Sequence, residues 1–157
     1  MFDEIYKTYW TKVFRLCMGY VNDNELAQDI AQETFIIVWQ QLSRFRNESN
    51  IGTWIYRIAT NNCLRQIDRQ KRKSTDALPE NLADIRPPDL EPQIQLLYKL
   101  VAELPELDRI IISLELEDVP QAEIADVVGI SEANVRVRIH RIKERLTKKF
   151  NEYEERN

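Results

Sequence analysis

The sequence predicts an all-α protein made of two small helical domains joined by an extended acidic linker, and three observations carry that reading. Apolar residues recur three and four apart along most of the chain, and no run alternates apolar with polar as a half-buried strand would. Four of the six prolines, Pro79, Pro87, Pro88 and Pro92, fall within residues 74–93, where each missing N–H donor and each restricted preceding residue works against helix. All but three of the aromatic residues precede residue 74, so the first part has the large side chains for a core of its own while the second is built on Leu, Ile and Val. The expected division is 1–73, linker 74–93, and 94–157, within the size range of one medium or two very small domains for 157 residues.

Each element has its own pattern. Phe2, Tyr6, Tyr9, Val13, Leu16 and Tyr20 predict a first amphipathic helix, and Ala27, Ile30, Ala31, Phe35, Val38, Leu42 and Phe45 a second, longer one. Asn50-Ile51-Gly52 supplies a turn, after which a third helix is expected to start near Thr53 with Ile55, Ile58, Ala59 and Ile67 facing inward. Beyond the linker, Ile94, Leu97, Leu100, Val101 and Leu104 mark a helix stopped by Pro105. Leu107, Ile110, Ile111 and Leu114 mark the next, ending near Asp118-Val119-Pro120. The stretch from Gln121 to Val135 is the most specific: small Ala125 permits a close crossing, Gly129 can take a left-handed turn, and Ser131 is placed to cap the following helix. That pattern is a helix-turn-helix, whose second helix buries Val135, Ile139, Ile142 and Leu146.

Composition excludes several classes of function. Two cysteines, Cys17 and Cys63, and one histidine, His140, cannot assemble a zinc set, so no metal is expected and the cysteines read as reduced, buried thiols. Neither glycine-rich phosphate cradle occurs in a chain with three glycines, so no nucleotide cofactor is expected. His140 has no nucleophile or carboxylate partner expected beside it, and nothing in the chain reads as catalytic. No apolar run approaches the roughly 18–20 residues of a membrane span, and the acidic start MFDEIYKTYW is unlike a secretory leader. A cytoplasmic protein without membrane insertion is expected.

The formal charge of −4 conceals two cationic segments. Residues 57–73 set Arg57, Arg65, Arg69, Lys71, Arg72 and Lys73 against Asp68 alone. Residues 134–150 set Arg136, Arg138, Arg141, Lys143, Arg145, Lys148 and Lys149 against Glu144 alone. The linker between them holds Asp76, Glu80, Asp84, Asp89 and Glu91 against Arg86. Two separate basic helices on one chain point to two contacts with nucleic acid.

The outward helix faces refine this. On the second helix Asp29, Gln32, Glu33, Ile36 and Gln40 form a stripe, and Ile36 with Trp39 leaves apolar surface that either receives a partner helix or packs under a neighbour. On the third, the stripe Trp54, Arg57, Asn61, Arg65, Asp68 and Arg72 combines an aromatic plate with guanidinium groups, which suits an unpaired strand whose bases stack while its phosphates are held. The preceding loop, Arg46, Asn47, Glu48, Ser49 and Asn50, adds short polar groups for base edges. On the helix that opens at Ser131-Glu132, the residues Ala133, Asn134, Arg136, Val137 and His140 lie where a major groove would be read. Arg138, Arg141, Lys143, Arg145 and Lys148 lie where phosphates would be held.

The runs Glu25-Leu26-Ala27-Gln28-Asp29-Ile30-Ala31-Gln32-Glu33-Thr34-Phe35, then Phe45, Thr53-Trp54-Ile55-Tyr56-Arg57-Ile58-Ala59-Thr60-Asn61, Leu104-Pro105 with Arg109, and Glu123-Ile124-Ala125 to Val135 with Arg141 resemble a bacterial RNA polymerase sigma factor of the extracytoplasmic-function group. The resemblance spans nearly the whole chain, in the family's order and spacing. It implies a sigma-two-like and a sigma-four-like domain. Asp29, Gln32, Glu33 and Ile36, with neighbouring Trp39 and Gln40, would dock on the beta-prime clamp helices of core polymerase, and the beta flap would be a second contact. The loop 46–50 with Trp54, Arg57, Asn61, Arg65 and Arg72 would recognise and melt the minus-ten element by holding the non-template strand. The helix from Glu132 to Lys149 would read the minus-thirty-five duplex. An anti-sigma factor is a further partner of such proteins. Leu114-Glu115-Leu116-Glu117-Asp118 is acidic where relatives often carry a basic residue, which weighs against a phosphate contact there. The competing class is an autonomous helix-turn-helix regulator that binds a palindrome without polymerase.

Overall fold

The computed structural model describes residues 1–46, 50–73 and 91–156, without the side chains of 67–73. Asn47, Glu48, Ser49, the side chains of Asp68, Arg72 and Ile67, the last expected to face inward, and most of the acidic linker therefore lie outside the described residues. Helix α1 spans Phe2–Val21, α2 Asn24–Gln41 and α3 Ile51–Lys73, with a 3₁₀ turn at Leu42–Arg44. Helices α4 to α7 span Pro92–Ala102, Glu106–Leu116, Gln121–Val128 and Glu132–Arg156. Among the described residues there is no strand.

Local chemistry sets the ends. Asn22 takes the left-handed conformation at φ 49° and its N–H bonds Met18 O, closing α1, while Asp23 accepts the Leu26 N–H at 3.1 Å to open α2. Helix α3 starts two residues before the expected Thr53, because Asn50 Oδ1 accepts the Gly52 N–H at 2.9 Å. Helix α4 starts at Pro92, inside the segment expected to be extended, since a proline in the first turn gives up no helical hydrogen bond. Gly129 closes α6 at φ 78°, and Ser131 Oγ accepts the Asn134 N–H at 3.1 Å to cap α7.

Helices α1, α2 and α3 pack together, as do α4 to α7, but the two groups do not stand apart. Helix α1 lies against α5 and α4, and α3 lies against α6, so the buried side chains form one continuous cluster. Gly19 makes the α1–α5 crossing possible: a Cβ there would overlap Ser113 Oγ. Nearby, the Arg109 guanidinium sits 4.6 Å over the Tyr20 ring and donates from Nη1 to Tyr20 O at 2.9 Å. Arg15 of α1 pairs with Glu117 at 3.5 Å. The chain folds so that each group supplies part of the other's cover.

Most of the expected inward residues are buried, with reasoned exceptions. Tyr6 is exposed yet joins an aromatic group, stacking on Trp10 at 5.2 Å and meeting Phe35 edge-on at 5.1 Å. Ile94 is exposed in the first turn of α4. Cys17 and Cys63, distant in sequence, meet in the core with their sulfurs 3.8 Å apart and are not bonded to each other. The hydrogen bond with Cys63, together with burial, raises the Cys17 thiol well above its ordinary range, so it stays protonated and inert.

Candidate polymerase and nucleic-acid interface

Burial of Ala27, Ile30, Ala31, Phe35 and Val38 fixes the rotation of α2. Asp29, Gln32, Glu33, Ile36, Trp39 and Gln40 are consequently all exposed. Ile36 is 55% exposed and Trp39 65%, so neither packs under a neighbouring helix. Trp39 meets Phe2 edge-on at 5.0 Å. Apolar surface on this scale, flanked by carboxylates and amides on one helix face, has the chemistry of a helix-docking site.

The α3 face is mixed. Asn61, Arg65 and the preceding Arg46 are exposed. Trp54 is half-buried, its ring 4.9 Å from Phe45, which backs it. Arg57 is partly covered by the helix-turn-helix: its Nη2 donates to Asp126 O of α6 at 3.5 Å. Asn50 Nδ2 donates to Glu123 Oε1, also of α6, at 3.3 Å. With its oxygen capping α3, the Asn50 amide is engaged at both ends.

On α7, burial of Val135, Ile139 and Ile142 turns Ala133, Asn134, Arg136, Val137 and His140 outward, and all five are exposed. The cations beside them divide. Arg138 donates to Asp108 at 3.1 Å and to Asn134 Oδ1 at 3.2 Å, and Lys143 pairs with Glu115 at 3.4 Å. Arg136, Arg141, Arg145 and Lys148 have no such partner among the described residues. One expectation is corrected: His140 does have a carboxylate neighbour, Glu144 Oε1 at 3.0 Å, one turn along the same helix. The i,i+4 spacing would have shown it.

Family models for sigma-70 region 2 and sigma-70 region 4 match residues 5–73 and 94–146. The chain is 32% identical to the RNA polymerase sigma-H factor of Pseudomonas aeruginosa, covering 94% of this chain and 84% of that one. It is 31% identical to the ECF RNA polymerase sigma factor SigW of Bacillus subtilis, covering 95% and 88%. The chain belongs to the extracytoplasmic-function group of RNA polymerase sigma factors. Its fold is shared with two solved structures of low identity. One is RpoE of Bartonella quintana in complex with the anti-sigma factor NepR, at TM-score 0.78 and 20% identity over 94% of each chain. The other is CnrH in complex with the cytosolic domain of CnrY, at TM-score 0.70 and 21% identity over 96% of this chain and 87% of that one.

In this sigma factor the region 4 helix-turn-helix and the region 2 bundle meet through residues that periodicity alone does not single out. Gly19, Arg109 and Ser113 acquire their contacts only where α1 and α5 are set against each other. The acidic run at the end of α5 also acquires a use. Glu115 holds Lys143, and Glu117, with a side chain only 10% exposed, faces Arg15. Burial pushes the Glu117 carboxyl up, outweighing the opposite pull of Arg15 and Lys12. Burial likewise raises the Tyr56 and Tyr98 hydroxyls near the same seam. Among the described residues no helix is long and apolar enough to cross a membrane.

Proposed function

We propose that this sigma factor binds core RNA polymerase, directs it to particular promoters and helps open the minus-ten DNA, working in the cytoplasm. The observation that carries the reading is the exposed Ile36–Trp39 surface within the Asp29, Gln32, Glu33 and Gln40 face of α2. A self-sufficient helix-turn-helix regulator has no need of it, whereas docking on the beta-prime clamp helices does; the beta flap is the second polymerase contact proposed.

The mechanism involves no bond chemistry. On α7, Arg136 and His140 would bond base edges and Val137 would touch a thymine methyl in the minus-thirty-five major groove, with Arg141, Arg145 and Lys148 on phosphates. Region 2 would capture the non-template strand, with Trp54 as a stacking plate, Arg46, Arg57, Asn61, Arg65 and Arg72 along the strand, and the loop 47–50 at base edges. Opening costs about 1.4 kcal/mol per base-pair step, and each stacked base returns about 1–3 kcal/mol. A few captured bases together with polymerase contacts are therefore enough to hold a short bubble, provided the chain binds the open strand better than the duplex.

The packed arrangement is, in this reading, the resting form. Arg57 is engaged by α6, so the two regions must part before it reaches DNA. An anti-sigma factor that holds them together is the corresponding inhibitory partner, and one structural relative, RpoE, is a sigma factor in complex with the anti-sigma factor NepR.

In vitro transcription with core polymerase tests the whole reading. The wild-type chain is expected to yield promoter-specific transcripts, and Ile36→Glu to abolish them by weakening polymerase binding about 30-fold or more, as for a central interface residue worth at least 2 kcal/mol, without loss of folding. Tight binding of a palindromic duplex by the chain alone, with no transcript, would establish the autonomous regulator instead.

A further inference from the structure

A buried polar relay joins α2 to the outer face of α3. The Thr34 hydroxyl, fully buried, donates to Ile30 O one turn back at 2.9 Å. It accepts the Asn62 Nδ2 hydrogen at 3.1 Å. Asn62, 3% exposed, then accepts with Oδ1 from Arg65 Nη2 at 2.6 Å. Both ends of the amide are thus committed, as a buried carboxamide requires, and its orientation follows from the network without ambiguity. One side of this unit is anchored in the helix that carries Ile36; the other ends in a guanidinium at an exposed position.

We infer that Asn62 is a positioning residue whose task is to aim Arg65 as a fully charged clamp for a promoter phosphate. The contrast with other arginines of the chain carries the argument. Arg138 and Arg15 are held by carboxylates, Asp108 and Glu117, which fix the side chain but cancel its charge. Arg65 is held by a neutral amide, and no carboxylate among the described residues pairs with it. A guanidinium restrained in this way loses rotamer freedom before binding rather than during it, while keeping its charge and its remaining N–H donors for an anion. Asn61, its exposed neighbour one turn back, continues the same outward line toward Arg57.

The groove beside Arg65 is also lined by Glu33, Ile36 and Ile37, so a polymerase carboxylate is the rival ligand. Phosphate is favoured because the clamp lies on the cationic helix, where the strand's charges would run past it. The inference rests on the sigma-factor reading, and its test separates the two.

Holoenzyme would be reconstituted from core polymerase and wild-type, Arg65→Ala, Asn62→Leu or doubly substituted chains. Open-complex formation would be followed from 50 to 200 mM salt on the DNA fragment most enriched by wild-type holoenzyme from a randomised library. Each single substitution is expected to make the log–log salt dependence shallower by about 0.7–0.9, one phosphate contact. The double variant should lie no lower than Arg65→Ala, because both changes remove one unit. Affinity for core polymerase should be unchanged throughout. Additive effects, an unchanged slope in Arg65→Ala, or weakened core binding would each overturn the inference. If Asn62→Leu does not fold, Thr34→Val should shift the slope the same way by a smaller amount, and an unchanged slope there refutes the relay. A wild-type chain that forms no open complex on any fragment removes the sigma-factor reading itself, and the inference with it.

Discussion

The two cationic helices α3 and α7 carry similar runs of Arg and Lys, yet the fold treats them differently. On α7 the reading edge stays open: Arg136, Val137 and His140 face outward while Asp108 and Glu115 take up Arg138 and Lys143 behind them. On α3 the edge is half closed, with Arg57 bonded to α6 and Asn50 engaged at both ends. Counting basic residues therefore misjudges both helices, because what matters is which charges the rest of the chain has already answered. Under the proposed function their readiness differs too: α7 would meet a duplex in the packed form, whereas Arg57 of α3 would reach an open strand only after the two regions part.

The largest effect is expected from prying the seam apart. Gly19→Leu puts a side chain where Ser113 already stands. Overpacking costs about 1–3 kcal/mol, and with a rigid helix on each side the upper end, ~3 kcal/mol, is expected. Small-angle scattering should show a larger radius of gyration, and binding of a premelted DNA by holoenzyme should be retained; an unchanged radius would mean the seam yields without opening.

Next in size, Arg136→Ala should cost about 2 kcal/mol of discrimination at one base pair of the minus-thirty-five element, read from competition between matched and mismatched duplexes. Arg138→Ala should instead lower the melting temperature, since Asp108 loses its partner, and leave the salt dependence of duplex binding nearly unaltered. If Arg138→Ala flattens the salt dependence as much as Arg141→Ala does, the division of cations on α7 is wrong. Ser131→Ala should remove about 1 kcal/mol of stability through loss of the cap on α7, measurable by urea unfolding.

The smallest effect is a pH dependence of the seam. Burial raises the Glu117 carboxyl in the packed form, whereas in a parted form that group returns to water. The packed form therefore binds the proton more tightly, so acidification through the range between the ordinary and the raised value should favour packing, and the charge should oppose it above that range. Arg15 and Lys12 on α1, Asp118 beside it, and the Tyr56 and Tyr98 hydroxyls are the groups that face it. Glu117→Gln should abolish the dependence in a scattering series over pH.

Much of this was legible from residue order. Helical spacing revealed each α-helix of the described residues, and Gly129 and Ser131 revealed the turn and cap of the helix-turn-helix, because these depend on neighbours within a few residues. The exposed α2 face followed from the same periodicity, though whether Ile36 and Trp39 stood free or lay under a neighbour did not. Local spacing should also have paired His140 with Glu144.

What amino-acid order determined by itself was the set of elements, their apolar faces and the segregation of charge into two basic helices and an acidic stretch. Tertiary packing alone decided that Cys17 meets Cys63, that Arg109 crosses to Tyr20, that Glu117 serves a seam rather than a surface, and that α6 lies on Arg57. Those contacts join residues tens of positions apart, and they exist only once two amphipathic faces have been brought together. A helical period records which side of a helix avoids water, and carries no record of which other helix will cover it.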